Sequence, residues 1–351
     1  MKWMISSLLS FVLLATPAAA AWEGELHAFW QAAEAYGVEE GVEPTVGFTG
    51  LVEQGARQLS GLVGEGLATV SRLLAVVLLC SVAWNVRGQG KSGLQAVEVA
   101  GALAITALTM TDIDSMIGLG REAVGRMEVF SQILLPTMAV LTAAGGGITS
   151  AAVRQGATVL FSRCLIALMD KLLIPLVYAY VAVGCAQAAV GNPGLQRLAD
   201  MIKSMVTVLL TAILLAFVGY LTASGAVAGS ADLSKVKAVR MAISRAIPVV
   251  GGILADASES VLAGAGILKG TVGAAGMLVV LAICLTPFLH LAVHYLMYKA
   301  AAALCGLVAQ PGLSKLIDTV GSAFGLILGM TGAAALLLMV SLVSAITAVT
   351  G

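Results

Sequence analysis

Few residues in this chain could do chemistry, and they sit in unpromising surroundings. Asp256 and Glu259 lie three apart, on one helical turn, inside an otherwise apolar stretch. Ionisable groups at membrane depth are costly, and they usually line a polar path or pair with a cation. The pair is therefore a candidate polar pathway for an ion or a proton, the bland alternative being a surface-lying helix on which both acids are wet. His290 and His294 lie four apart on one helix face. That spacing can hold a metal, but no third ligand is near in sequence, so hydrogen bonding between helices is the better reading and no metal is expected. Arg72 and Glu98 fall in neighbouring apolar segments and could pair. Cys80, Cys164, Cys185, Cys284 and Cys305 are scattered without a CxxC, which suits small packing residues rather than a disulfide framework or a zinc site.

Other signatures fail on inspection. Arg87-Gly88-Gln89-Gly90-Lys91-Ser92 approaches a phosphate-binding loop, but Asn85 stands where its first glycine is required. Neither GxSxG nor HExxH occurs. No enzyme activity and no cofactor are expected. Gly321, Gly325 and Gly329 form a double GxxxG, which points to close helix packing, either within the chain or between copies. Gly145-Gly146-Gly147 would loosen the end of an apolar run.

The elements that must carry these residues are dictated by composition. The chain is 59% hydrophobic and only 11% charged, against about 25% charged in soluble domains. There is too little polar side chain to cover a water-facing surface, and a net charge of zero offers no field for nucleic acid. Lys2, the apolar stretch Met4 to Ala15 and the small residues up to Ala21 have the layout of a cleavable signal peptide, residues 1–20. Residues 21–66 are acidic and read as two short amphipathic helices split near Pro44, resting on the membrane, on a partner, or as a packed cap.

From residue 67 onward, eight apolar segments are candidate spans: 67–85, 93–110, 130–152, 172–190, 205–228, 247–268, 272–297 and 320–348. If all eight cross, with both termini outside, most Lys and Arg fall inside, as the positive-inside rule asks. Re-entrant segments at 130–152 and 247–268 would reverse that balance.

An internal repeat is also visible. Pro136 and Pro248 are 112 apart, as are Pro175 and Pro287, and Pro193-Gly194-Leu195 matches Pro311-Gly312-Leu313 at an offset of 118. The expected organisation is two leading spans at 67–111, repeat one at 112–228 and repeat two at 229–351. Three spans per repeat would invert the second copy. The segment with Asp112, Asp114, Arg121, Glu122, Arg126 and Glu128 is net acidic, whereas Asp232, Lys235, Lys237, Arg240 and Arg245 are net basic, which fits inversion. Inverted repeats with broken helices are a transporter trait. A duplicated scaffold that moves nothing is the alternative. The fold class is all-α: a polytopic transmembrane helix bundle with an inverted internal repeat.

Several stretches carry a resemblance. Phe130-Ser131-Gln132-Ile133-Leu134-Leu135-Pro136, then Leu141 through Ala152, Ile247 through Ala257, Tyr298-Lys299-Ala300-Ala301-Ala302 and Gln310-Pro311 resemble the stage III sporulation protein AE family. The resemblance covers most of residues 67–351. It implies a multi-pass component of the stage III sporulation A complex in the mother-cell membrane around the forespore. There, with other proteins of that operon and a forespore-side partner, it would help to assemble a channel-like conduit. A transporter or permease subunit moving small molecules or ions is the alternative. The family carries no catalytic residues to this chain.

Overall fold

Helices dominate because the apolar stretches leave the backbone no other way to satisfy its hydrogen bonds away from water. The computed structural model describes residues 23–41, 43–86, 91–144, 148–246, 251–308 and 311–347. Within these, side chains at 84–86, 91–95, 148–150, 225–246, 251–265 and 308 fall outside the description. The elements are α1 (23–34), α2 (Pro44–Val86), α3 (Lys91–Ala144), α4 (Ile148–Leu168), a π-helical turn (Met169–Leu173), α5 (Ile174–Val190), α6 (Pro193–Ala246), α7 (Gly251–Val308) and α8 (Pro311–Thr347). No strand occurs among the described residues.

Among the described residues, six helices are long and apolar enough to cross a bilayer. The eight expected segments collapse onto these six. Segments 93–110 and most of 130–152 share the 54-residue α3, and 247–268 and 272–297 share the 58-residue α7. A 54-residue helix is about 80 Å long, far more than the roughly 30 Å hydrocarbon core it would cross once. The charged stretch at 112–128 does not break α3, and Pro136 is accommodated inside it.

Local sequence explains the breaks that do occur. Pro175 has no N–H to give and would clash with a carbonyl one turn back, and the π turn at Met169–Leu173 immediately precedes it. α5 ends at Gly191, whose φ of 70° suits a residue without a side chain and whose N–H reaches the Gln187 carbonyl. Asn192 Oδ1 accepts from the Gly194 N–H, and Pro193 opens α6.

Side-chain meetings fix the directions of α2, α3, α4–α5, α7 and α8, and α6 reverses after Gly191. Along α7 and α8 the partners run in opposite order: Gly321 against Tyr298, Gly332 against Phe288, Gly276 against Leu342. Arg154, Thr158 and Gly184 meet Ser344, Ser341 and Thr319 in turn, so α4–α5 is also antiparallel to α8. Gly101 and Gly120 meet Leu313 and Ile327, so α3 runs with α8. Gly55 and Gly66 meet Leu285 and Met297, so α2 runs with α7. The result is an up-down bundle of six rods.

The structure does not show the inverted repeat. The helices that follow Pro175 and Pro287 both run antiparallel to α8, so they run parallel to each other. The inversion depended on three spans per copy. With α3 and α7 each continuous, two helix reversals separate the matching helices, and an even number restores direction. Pro248, the second member of the first landmark pair, lies outside the described residues.

The acidic N-terminal segment divides as expected near Pro44, but only its first part is a separate short helix. Phe29, Trp30, Ala33 and Val38 are buried. Phe29 and Tyr36 rings lie 6.1 and 6.3 Å from Phe130 of α3, and Thr137 Oγ1 donates to the Glu25 carbonyl. This is the packed-cap alternative. The second part is simply the beginning of the 43-residue α2. The signal-peptide segment 1–20 lies outside the described residues.

Candidate functional site

The polar residues that the bundle brings together are not the ones the sequence singled out. They form a layer linking α3, the π turn, α5, α7 and α8. Tyr298 of α7, 1% exposed, donates its hydroxyl to Asp112 Oδ2 of α3 at 2.6 Å. Tyr178 of α5 donates to Asp114 Oδ1 at 2.7 Å. Arg121 of α3 reaches Asp170 of the π turn at 3.1 Å. Lys299 of α7 meets Asp318 Oδ1 of α8 at 2.7 Å and donates to Ser322 Oγ at 2.8 Å.

Tyr298 sits at the centre of this layer. Its ring packs edge-on against Phe324 at 4.9 Å, while its hydroxyl points to α3. One side chain thus joins three helices, with an apolar body against α8 and a polar tip on a carboxylate. Asp112 itself is half-buried. Within this layer each named acid or base meets a partner on another element. Such an arrangement holds helices in register, since displacing one rod would strand a polar group in apolar surroundings.

The residues singled out from sequence fare variously. Asp256 and Glu259 lie on α7, and their side chains are outside the described residues, as are Gly145, Gly146 and Gly147. His294 Nδ1 is 2.9 Å from the His290 carbonyl of its own helix, and its ring stands edge-on to Phe324 at 5.8 Å. The expected bond between helices is replaced by one within α7. Among the described residues no group of three metal-ligating side chains gathers, and no ion pair joins Arg72 to Glu98.

Gly321 and Gly325 do pack closely, within the chain. A Cβ at Gly321 would lie 3.1 Å from Tyr298 Cβ and 3.4 Å from the Lys299 nitrogen, and one at Gly325 would lie 3.1 Å from the Tyr295 ring. Gly329 is exposed, and a Cβ there would meet only Leu210, at 3.9 Å. The glycine ridge therefore serves the α7–α8 seam at two of its three positions. The five cysteines are free thiols. Cys284 lies against Met127, and Cys185 accepts a hydrogen bond from Thr106.

Sequence reasoning read Asp112, Asp114 and Arg121 as part of a charged connection. The signal that could have placed them on a helix is the spacing of the apolar Ile113 and Ile117, four apart on one buried face that Asp112 and Asp114 flank on either side.

Among the described residues, six long apolar helices in up-down order fit a multi-pass α-helical membrane protein. The family model for Stage III sporulation protein AE matches residues 45–351. The chain belongs to that family. A relative, Stage III sporulation protein AE of Bacillus subtilis (strain 168), is 23% identical over 246 residues, covering 70% of this chain and 62% of the relative. The match thus spans less than two thirds of that relative's length. No solved structure matches.

Proposed function

We propose that this protein is an assembly subunit of a membrane complex required for endospore formation, in the mother-cell membrane surrounding the forespore. Its partners there are other stage III sporulation proteins and a component on the forespore side, with which it forms a conduit between the two cells. Family membership supplies the sporulation setting. The observation that favours an assembly role is the polar layer. Asp112, Asp114, Arg121, Asp170, Lys299 and Asp318 each engage a partner on another element. Groups committed in this way fix the bundle's shape, as a scaffold requires, and are not held in reserve for a moving ion.

The transporter alternative leaned on inversion of the repeats, and the parallel course of α5 and α7 removes that support. The test is made in the protein's own host. Deleting the chain should block spore completion, and an affinity-tagged copy should co-purify with other stage III sporulation proteins from sporulating cells. Normal spore yield without the chain would overturn the proposal, as would purification of the tagged chain alone.

A further inference from the structure

We propose that the outer face of α2 is a docking seam for a second copy of this chain, the two copies pairing side by side in one membrane. Gly50, Glu53, Arg57, Ser60, Gly64 and Leu67 are all exposed on that face. They follow one another in alternating steps of three and four. That spacing draws one stripe along a helix that winds gently round a neighbour, as in a coiled coil. Among the described residues nothing packs on the stripe at its glycines: a Cβ at Gly50 or at Gly64 would meet no atom within 4 Å.

Depth argues against lipid as the covering. Thr286 Oγ1 of α7 donates to Gln58 Oε1 at 3.3 Å, which sets this part of α2 beside Thr286. Nearby on α7, Phe288 faces Gly332 of α8, and Gly329, one turn before it, faces Leu210 of α6. At this level α6 exposes Val208 and Leu215, which are 61% and 66% exposed and suit hydrocarbon. Glu53 and Arg57 stand at the same height on α2, with side chains 70% and 72% exposed. Ionisable side chains at membrane depth turn toward protein or water rather than toward acyl chains.

The stripe is complementary to itself. Glu53 and Arg57 lie one turn apart and reach each other at 3.5 Å. Two copies inserted in the same sense, related by a two-fold axis, hold their α2 helices parallel. Each Glu53 then lies one turn from the partner's Arg57, and the four side chains form a neutral cluster. A stripe of one sign would ask for a different protein, whereas one carrying both signs in adjacent turns matches its own copy. The backbones can approach on either side of the charges. Gly50 and Gly64 have no side chain, and Ser60 turns its hydroxyl back to the Arg57 carbonyl at 3.0 Å. Small residues at a helix seam allow such approach in lipid.

The experiment uses the full chain. In membranes oxidised with copper phenanthroline, Ser60→Cys should give a disulfide-linked dimer above the background of the parent chain, whose Cys164 is exposed. Leu215→Cys, on the lipid-facing side of α6, should not. In neutral detergent the monomer–dimer equilibrium of the purified chain is followed by sedimentation. Glu53→Arg should weaken pairing about 10-fold or more, as juxtaposed like charges do. The exchange Glu53→Arg/Arg57→Glu should restore it, because the swapped charges again match across the two-fold axis. That rescue separates a seam from a merely structural role of Glu53. A parent chain that stays monomeric would overturn the seam, as would undiminished pairing in Glu53→Arg or failure of the exchange to restore it. An equal band from Leu215→Cys, or a Ser60→Cys crosslink to a different protein alone, would overturn the second copy as occupant. These readouts stand apart from spore yield, so their failure is distinguishable from failure of the assembly proposal.

Discussion

Substituting alanine at Gly321 and at Gly329 separates a packing glycine from one that merely shares its motif. Each change gains about 1 kcal/mol of helix propensity over glycine, and that gain cancels when the two variants are compared. What remains is the clash. At Gly321 the new methyl would sit 3.1 Å from Tyr298 Cβ and 3.4 Å from the Lys299 nitrogen. Neither atom is the tip of a flexible side chain, so α7 and α8 must part slightly. Overpacking of this kind costs about 1–3 kcal/mol. At Gly329 the nearest atom is 3.9 Å away, an ordinary contact. Gly321→Ala should therefore melt below Gly329→Ala, by roughly 2–4 °C for each kcal/mol of difference, in detergent-solubilised protein followed by intrinsic fluorescence or aggregation. Gly325→Ala should fall between them, because the Tyr295 ring can turn aside where backbone cannot. Equal midpoints for the variants at 321 and 329 would refute the α7–α8 seam as the place where the glycine ridge acts.

Tyr298→Phe should destabilise the protein by about 1.5–3 kcal/mol, the range for a hydrogen bond to a charged group. Asp112→Asn combined with it should cost less than the sum of the two single changes in a double-mutant cycle, whereas strict additivity would mean that the pair is not coupled. Reporters inserted after Gln89 and after Asn192 should report the same side of the membrane, because the α2–α3 and α5–α6 connections share one end of a six-rod bundle. Opposite sides would restore the eight-span topology. The double variant Asp256→Asn/Glu259→Gln should sporulate normally and keep its partners under the assembly reading. Spore failure with an intact complex would instead point to transport through this subunit.

Much of the fold is legible because membrane helices obey local rules. Apolar length marks each rod, Pro193 and Pro311 mark helix starts, and Gly191 marks an end. The spacing of Leu26, Phe29, Trp30 and Ala33 gives the helical face that packs as a cap on α3. Hydropathy misleads at 112–128, where charge suggests a water-exposed turn. In the bundle Asp112 and Arg121 are carried on unbroken helix, because their partners, Tyr298 and Asp170, arrive from elements 186 and 49 residues away. A window along the chain weighs each side chain against water, not against a partner that only the tertiary structure supplies. The error spreads from there: splitting α3 and α7 gave an odd number of spans per repeat, and an odd number implied inversion.

With α3 and α7 as single rods, the landmark offsets read from the sequence would match the α5–α6 hairpin to the later part of α7 with α8. α5 and the later part of α7 run in the same direction. The offsets of 112 and 118 then set Gln187 against Lys299 and Asp200 against Asp318. The later segment has a cation where the earlier has an amide, and among the described residues it closes its two helices with an ion pair, Lys299 to Asp318 at 2.7 Å. In the earlier segment, Asp200 is instead approached by Gln196 of its own helix. The α7–α8 hairpin is thus closed by an ion pair between its two helices, with Tyr298 tying it to α3.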